Sequence, residues 1–430
     1  MASQLSRTLD TLKDQAKDAL WALTSCVCQP SAKIKINGRT FKIIKVLGEG
    51  GFSFVYLAQD ETSGRQFALK KIRCPTGSDG VKEAMREVAA YRRFRHPNII
   101  RILDSAVVQD RDGDGKVVYL FLPLYKRGNL QDAINHNLVN GIHFPEREMV
   151  RLFLGTCEAV RAMHTYRAPM ASAPLNGEVQ DTVVAASSNS ERSRLTHQQE
   201  EEHDNDDQSL PQPEGDAEGG YSYDGASVPL VNRRRGQQQQ AEEIFDGDAE
   251  LERLRTEEAP QQNGKTEIVP YAHRDIKPGN VMLSDDGQPI LMDFGSTVKA
   301  RIKIETRSQA LAQQDLAAEQ STMPYRAPEL FDTKTGTVLD EKVDIWSLGC
   351  TLYALAYSHS PFETTQTTEQ GGSIAMSVLN GAYKHPTNAS SIYSEGLRNL
   401  IDFMLKVNPS ERPDIHEVIE KTQTVLQSLS

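Results

Sequence analysis

His273-Arg274-Asp275-Ile276-Lys277-Pro278-Gly279-Asn280, with Asp293-Phe294-Gly295 shortly after it, is the stretch on which the fold turns. It sets a carboxylate, a lysine, an amide and a second carboxylate within one short span, downstream of a glycine-rich run. That run, Leu47-Gly48-Glu49-Gly50-Gly51-Phe52-Ser53-Phe54-Val55, lies between two β-like segments. Glycines let backbone amides come close to phosphate oxygens, and Val55 just beyond can cover a flat base. Taken alone, the run also reads as a hairpin turn. Dinucleotide-binding folds place a helix directly after their glycines, whereas Phe54 to Gln59 reads as a strand. The next strand, Phe67-Ala68-Leu69-Lys70, ends in a lysine, and Glu87 follows on a helical stretch. A lysine so placed can hold phosphates if a carboxylate orients it, although singly both residues would be ordinary surface charges.

Taken together and in this order, these strings resemble the eukaryotic protein kinase superfamily. The resemblance implies an α+β, bilobal fold with a β-rich N-lobe, a helical C-lobe, and ATP and Mg²⁺ between them. It implies that Asp275 accepts or orients the substrate hydroxyl proton and that Lys277 neutralises the transferring phosphate. Asn280 and Asp293 would hold two Mg²⁺ ions, and Lys70, paired to Glu87, would fix the α- and β-phosphates beneath Leu47 to Val55. The logic is electrostatic, because phosphoryl transfer spreads negative charge over oxygens. Ser53 stands where the usual pattern has its third glycine, but its backbone amide remains available. Thr322-Met323-Pro324-Tyr325-Arg326-Ala327-Pro328-Glu329 looks like the end of an activation segment, with Arg412 as the matching partner of Glu329. Asp344-Ile345-Trp346-Ser347-Leu348-Gly349 resembles the helix that anchors the catalytic loop. Lys277, two residues after Asp275, and Thr322 point to the serine/threonine branch. Arg274 implies tuning by phosphorylation at Thr297, Thr306, Ser308, Ser321 or Thr322.

A closer resemblance rests on less general strings: Leu122 to Leu130, Tyr271 to Asp275, Gly287 to Asp293 and Tyr325 to Phe331, besides Leu47 to Val55. They are similar to the Numb-associated kinases, and within these to the acylated branch with its vacuolar-membrane members. The likeness spans Arg39 to Ser430 outside one insert. Counting back from Gly128, it implies Leu122 as gatekeeper and Pro123, Leu124 and Tyr125 as the hinge, with Ala68 beside them in the ATP site. It also implies an extra helix after the Pro-Glu element, around Lys334 to Glu341. A role in membrane traffic at Golgi, endolysosomal or vacuolar surfaces follows from the resemblance alone.

The net charge of −11 over 430 residues is unevenly spread. Residues 167–267 hold 9 Lys and Arg against 22 Asp and Glu, a balance of −13, which leaves the remainder at about +2. Overall charge therefore gives no sign of nucleic acid as a partner. Leu, Ile, Val and Phe make up 13 of those 101 residues. So few large apolar groups cannot offset ordering entropy, and 167–267 is expected to be a disordered acidic insert in a kinase domain running from 39 to 430. It reads either as a regulatory or docking segment or as a solvated spacer. Elsewhere the pattern predicts strands over Phe41 to Leu47, Gln66 to Ile72, Ile99 to Val108 and Val117 to Tyr125. It predicts helices over Gly80 to Phe94, Glu146 to His164, Val343 to Tyr357 and Gly396 to Lys406.

Residues 1–30 form a distinct segment. Leu5, Leu9, Leu12, Ala16, Leu20 and Leu23 make one apolar stripe of a helix, and Cys26-Val27-Cys28 follows at once. Beside such a helix, and given the acylated branch, Cys26 and Cys28 read as S-acylation sites that tether the chain to an intracellular membrane. Ala2 in place of glycine rules out N-myristoylation of this N-terminus. The bland alternative is two free thiols. No run of about 18 apolar residues exists to cross a membrane, no secretory leader opens the chain, and five cysteines, an odd number, suit a reducing compartment on the cytoplasmic side. Asp110-Arg111-Asp112-Gly113-Asp114-Gly115 imitates a calcium loop, but Phe121 stands where its last ligand would be. Protein substrates are the expected partners. A membrane-tethered pseudokinase scaffold is the competing reading, and Thr322 to Glu329, a peptide platform, speaks against a lipid kinase.

Overall fold

The computed structural model describes residues 32–50, 53–75, 78–110, 115–169, 266–363, 372–387 and 392–429. Residues 1–30 with Cys26 and Cys28, Gly51 and Phe52, and 170–265 lie outside the described residues.

The N-terminal lobe begins with β1 (Lys33–Ile36), β2 (Arg39–Glu49), β3 (Ser53–Asp60) and β4 (Gln66–Cys74), continues through helix α1 (Ser78–Arg93), and closes with β5 (Asp104–Gln109) and β6 (Lys116–Leu122). All six strands form one antiparallel sheet in the order β1-β2-β3-β4-β6-β5. Alternation along β3 buries Phe54, Tyr56 and Ala58 on one face. There they join Ile36, Phe41, Ile43, Phe67, Leu69 and Phe121 in a small core. The opposite face carries Val118 and Leu120 into the larger core shared with α1 and the second lobe.

That lobe is mostly helical: α2 (Leu130–Asn140), α3 (Glu146–His164), and, beyond the catalytic loop, α4 (Arg307–Gln320), α5 (Pro328–Phe331), α6 (Lys342–Tyr357), α7 (Ile374–Leu379), α8 (Glu395–Met404) and α9 (Ile415–Ser428). Helix α6 is apolar almost all round, and every residue from Val343 to Ala356 is buried, which makes it the axis of the lobe. Short antiparallel strand pairs punctuate the loops: β7 (Arg167–Pro169) with β8 (Thr266–Ile268), β9 (Tyr271–Ala272) with β12 (Val298–Lys299), β10 (Val281–Leu283) with β11 (Pro289–Leu291), and β13 (Ile302–Lys303) with β14 (Val338–Leu339).

Four expectations change. Ile99, Ile100 and Ile102 are buried without joining the sheet: Ile99 bridges Leu291, and Ile100 N–H donates to the Leu291 carbonyl at 2.9 Å, so the strand starts only at Asp104. Strand β6 ends at Leu122 rather than Tyr125, because Pro123 has no N–H to continue a ladder. Arg167, Ala168 and Glu267, taken as part of the disordered insert, are paired in the β7–β8 ladder, with Pro169 opposite Thr266. The extra helix is not at Lys334 to Glu341, where β14 lies, but before the Pro-Glu element, as α4. Its Ala, Gln, Leu and Glu residues are strong helix formers, and Thr306 and Gln309 close a reciprocal capping box at its start.

Aromatic rings fasten the lobes around α1. Phe94, just after the helix, touches Tyr166, Tyr271 and Phe294 at centroid distances of 5.6, 5.3 and 5.9 Å, and Arg93 lies 4.6 Å over the Tyr271 ring. These contacts hold the roots of β7 and β9 against the end of α1, so the region entering the catalytic loop starts from a fixed point.

Candidate active site

Strands β2 and β3 bring the glycine-rich run to a tight reversal. Gly48 pairs with Val55 and Glu49 with Phe54, while Gly50 N–H donates to the Ser53 carbonyl at 2.8 Å. Leu47 is largely exposed at the edge, and Val55 and Ala68 are half-buried. Across the sheet Ala68 pairs with the buried Leu122, after which Pro123, Leu124 and Tyr125 lead into the second lobe.

Lys70, on β4, reaches across to α1 and to the second lobe at once. Its Nζ donates to Glu87 Oε1 at 2.7 Å and to Asp293 Oδ1 at 2.9 Å. Burial works to lower the lysine's pKa, but Asp293 and then Glu87 outweigh it and hold the ammonium well above its ordinary value. For Asp293, the Lys70 cation overcomes burial and pulls the carboxyl down to about 2. Glu87 shifts the other way: burial raises its pKa more than Lys70 lowers it, and the like charge of Asp293 adds to the rise.

The catalytic loop is pinned from behind by a buried carboxylate on α6. Asp344 accepts the backbone N–H groups of His273 and Arg274 at 2.8 Å each, and faces His164 Nε2 at 3.0 Å. Burial would raise the pKa of Asp344, but these bonds outweigh it and hold it below its ordinary value. With that support Arg274 and Asp293 both adopt left-handed backbone, φ 67° and 65°, which costs a side-chain-bearing residue on the order of 1 kcal/mol each. Phe294 fills the space between, 5.0 Å from Tyr91 on α1 and 5.4 Å from His273.

Asp275 then has both oxygens fixed. Oδ1 accepts Thr322 N–H at 2.8 Å, and Oδ2 accepts Lys277 Nζ at 2.8 Å and Asn280 Nδ2 at 3.0 Å. Lys277 also donates to Thr322 Oγ1 at 2.6 Å, which ties the catalytic loop to the end of the activation segment. That segment is anchored further on by Arg412, which binds Glu329 through both arms.

Asp293 and Asn280 fit a hard divalent cation. The first is held ionised. The second spends its amide N–H groups on Asp275, which leaves its carbonyl oxygen as a ligand atom. Among the described residues no cluster of three or more His, Cys, Asp or Glu forms a metal cage of its own. Magnesium sites of this kind take most of their ligands from substrate phosphates and water.

The five candidate phosphorylation sites fall in different settings. The Thr297 hydroxyl is buried and has no hydrogen-bond partner among the described residues. Thr306 and Ser308 are exposed at the start of α4. The Ser321 hydroxyl donates to the Ala317 carbonyl and accepts from Arg326 Nε, and the Thr322 hydroxyl is taken by Lys277. The sequence reading missed Gln313, which receives a hydrogen bond from Arg274, because nothing marks one glutamine in a Gln-rich helix until the fold shows what it meets.

A cleft so equipped belongs to the two-lobed phosphotransferases, in which positioned cations and donors stabilise the transferring group without a covalent intermediate on the enzyme. The family model "Protein kinase domain" matches residues 41–168 and 269–422. The chain is 33% identical over 410 residues to the serine/threonine-protein kinase ENV7 of Saccharomyces cerevisiae, covering 93% of this chain and 96% of that protein. It is 30% identical over 387 residues to the serine/threonine-protein kinase ppk13 of Schizosaccharomyces pombe, covering 90% of each. With the human serine/threonine-protein kinase 16 it shares 30% identity over 400 residues, 93% of this chain and 94% of that one. The chain belongs to the protein kinase family, and its activity is that of a serine/threonine kinase using ATP and Mg²⁺.

Proposed function

We propose that Asp275 takes up the proton of a serine or threonine hydroxyl on a protein substrate, or on this chain itself, as the hydroxyl oxygen attacks the γ-phosphorus of ATP and the bond from that phosphorus to the β–γ bridging oxygen breaks, ADP leaving with the bridging oxygen. Lys277 balances charge on the phosphoryl oxygens, and Lys70, oriented by Glu87, holds the α- and β-phosphates. Asp293 and Asn280 would hold Mg²⁺, which when bound neutralises the phosphate oxygens. The residues from Leu47 to Val55 would cover the nucleotide, and Leu122 to Tyr125 would line its adenine side. The observation that carries this reading is that Lys70 touches Glu87 and Asp293 together while Asp275 is fixed by Lys277, Asn280 and Thr322. The groups are already in mutual register, which is what positioning catalysis needs. Transfer of labelled γ-phosphate to a generic protein acceptor tests it: Asp275→Ala and Asp293→Asn should each abolish transfer, and an unchanged rate in either would overturn the assignment.

The cellular setting is a membrane surface reached through acyl chains on Cys26 and Cys28, with substrates in membrane traffic at Golgi, endolysosomal or vacuolar membranes. Support comes from the N-terminal stripe and paired cysteines, and from the likeness to the acylated kinase branch. Among the described residues no helix is long and apolar enough to cross a membrane, so attachment by this chain calls for a peripheral device. Two chains, or one plus the apolar stripe, suffice where a single chain does not. In cells, the wild type should pellet with membranes and the Cys26→Ser, Cys28→Ser double variant should not. Equal partition of the two would end the acyl-anchor reading.

A further inference from the structure

The first hairpin carries its charge on one side only. Along β1, Ile34 and Ile36 pack on the small core of the N-terminal lobe, while Lys33 and Lys35 are exposed. Along β2, Phe41 and Ile43 are buried in that core and Lys42 is exposed. Register sets Lys33 directly opposite Lys42 and Lys35 opposite Thr40, so the three lysines share the outer face. Beyond Ile43 the ladder slips: Ile43 pairs with Ala58, and the next pair is Lys45 with Leu57. Ile44 is the extra residue of this bulge, 41% exposed, and it returns Lys45 to the outer face and Val46 to the core side. In an unbulged strand, simple alternation would turn Lys45 inward.

Four ammonium groups therefore crowd one small face. Like charges directly opposite on a ladder repel, so holding Lys33 against Lys42 costs the hairpin stability. Glu61 offsets one of them at the rim, its Oε1 2.6 Å from Lys33 Nζ with both side chains in contact with solvent. The β3 residues opposite Lys42 and Lys45 are Gln59 and Leu57, which bring no charge. Such a face complements an anionic surface.

The position of the hairpin in the chain identifies that surface. Cys28 precedes Lys33 by five residues, and five residues reach at most about 18 Å when fully extended. Acyl chains on Cys26 and Cys28 would hold β1 within that reach of the lipid headgroups. Cytoplasmic leaflets carry anionic lipids that attract lysines beside an anchor, and one acyl chain needs a second signal of this kind for stable attachment.

We propose that the outer face of the β1–β2 hairpin lies on an anionic bilayer, with Lys33, Lys35, Lys42 and Lys45 against lipid headgroups and Ile44 at their boundary. The acyl chains supply the hold and the lysines the orientation and the choice of membrane. This deepens the acyl-anchor reading and rests on it.

The test mixes the full chain, acylated in eukaryotic cells, with phosphatidylcholine vesicles, with or without phosphatidylserine, at low and high salt. The wild type should prefer the phosphatidylserine vesicles at low salt and lose most of that preference at high salt. Each lysine at an anionic surface is worth about a five-fold change in partition. The triple variant Lys35→Gln, Lys42→Gln, Lys45→Gln should therefore bind those vesicles about 100-fold more weakly, with unchanged kcat toward a soluble acceptor and no fall in melting temperature. Phosphatidylserine vesicles should also shield these lysines from a lysine-reactive reagent, read by mass spectrometry, and leave the exposed Lys334 of the second lobe reactive. Equal affinity of the wild type for both vesicles would overturn the proposal, as would a preference that the triple variant keeps. So would shielding without vesicles, which would give the face to the acidic span between Pro169 and Thr266. Failure of the acyl-anchor reading would show separately: the Cys26→Ser, Cys28→Ser double variant would then bind either vesicle as the wild type does, with the lysine-dependent preference intact.

Discussion

Arg412 grips Glu329 with both arms, Nη1 to Oε1 and Nη2 to Oε2 at 2.7 Å each, from 83 positions away in the sequence. The guanidinium also donates from Nε to the Lys406 carbonyl at 2.6 Å and lies 5.1 Å over the Trp346 ring. The bidentate fork leaves few donors unspent in a place where no water reaches the arginine side chain.

Breaking that pair should therefore be costly. Arg412→Ala strands Glu329 and is expected to lower the unfolding free energy by about 3–5 kcal/mol. Arg412→Lys should recover only part of it, because an ammonium cannot reproduce the planar fork. Urea unfolding of the two variants measures both, and a loss under about 1 kcal/mol for Arg412→Ala would mean the pair is effectively solvent-screened.

His96 should make the fold sensitive to mild acid. Burial, and then the nearby Arg161, push its pKa down to about 4, and its Nδ1 accepts the Asn98 N–H at 3.1 Å, a bond only the unprotonated nitrogen can make. The unfolded chain binds this proton near pH 6.5 and the folded one only near pH 4, so stability should fall as pH drops through that window. Discounted for partial exposure, the loss is on the order of 2 kcal/mol by pH 4. Melting temperatures of wild type and His96→Gln between pH 7 and 4.5 should diverge accordingly, the variant showing the shallower slope.

Gly155, inside α3, is required by packing and not by backbone geometry. A Cβ there would sit 2.6 Å from Pro289 Cγ on β11 and 3.1 Å from Asn98 Nδ2. Alanine gains about 1 kcal/mol of helix propensity, but overpacking against a ring costs about 1–3 kcal/mol. Gly155→Ala should thus be destabilising overall, by up to about 2 kcal/mol in chemical unfolding, and a more stable variant would show that β11 yields.

Thr322→Val keeps the shape of the side chain and the backbone N–H to Asp275 while deleting the oxygen that Lys277 meets at 2.6 Å. Lys277 then has one fixed partner where it had two. We expect kcat to fall about ten-fold with the KM for ATP unchanged, and Thr322→Ser to restore most of it. Steady-state kinetics with saturating acceptor separates the two terms.

What the sequence made legible was the chemistry carried by short strings of fixed spacing. Glu146 to His164 has its apolar residues at helical intervals, and the helix spans those residues. The string from His273 to Asn280 needs no long-range information to show its charges. Helix α4 was misplaced because it has no apolar stripe, and only Ala310 and Ala317 turn inward. Its helicity comes from propensity and a cap, signals that weigh little beside periodicity. The Ile99 to Ile102 run was read as strand because burial on β11 and burial in a sheet leave the same apolar signature. Gln313 stayed hidden for a different reason: its meaning lies wholly in where Arg274 ends up, 39 positions earlier in the chain.

The β7–β8 ladder has an engineering consequence. With Pro169 opposite Thr266, the chain departs and returns between neighbouring positions, about 5 Å apart at the Cα atoms. Beside that ladder the Tyr166 and Tyr271 rings meet edge to face at 5.8 Å and close the frame on their own. The length of the intervening span is thereby uncoupled from the spacing between α3 and the catalytic loop. A fluorescent domain or an affinity module whose own termini lie close together could be grafted between Pro169 and Thr266, making this the natural port for tagging the enzyme while both ends stay free.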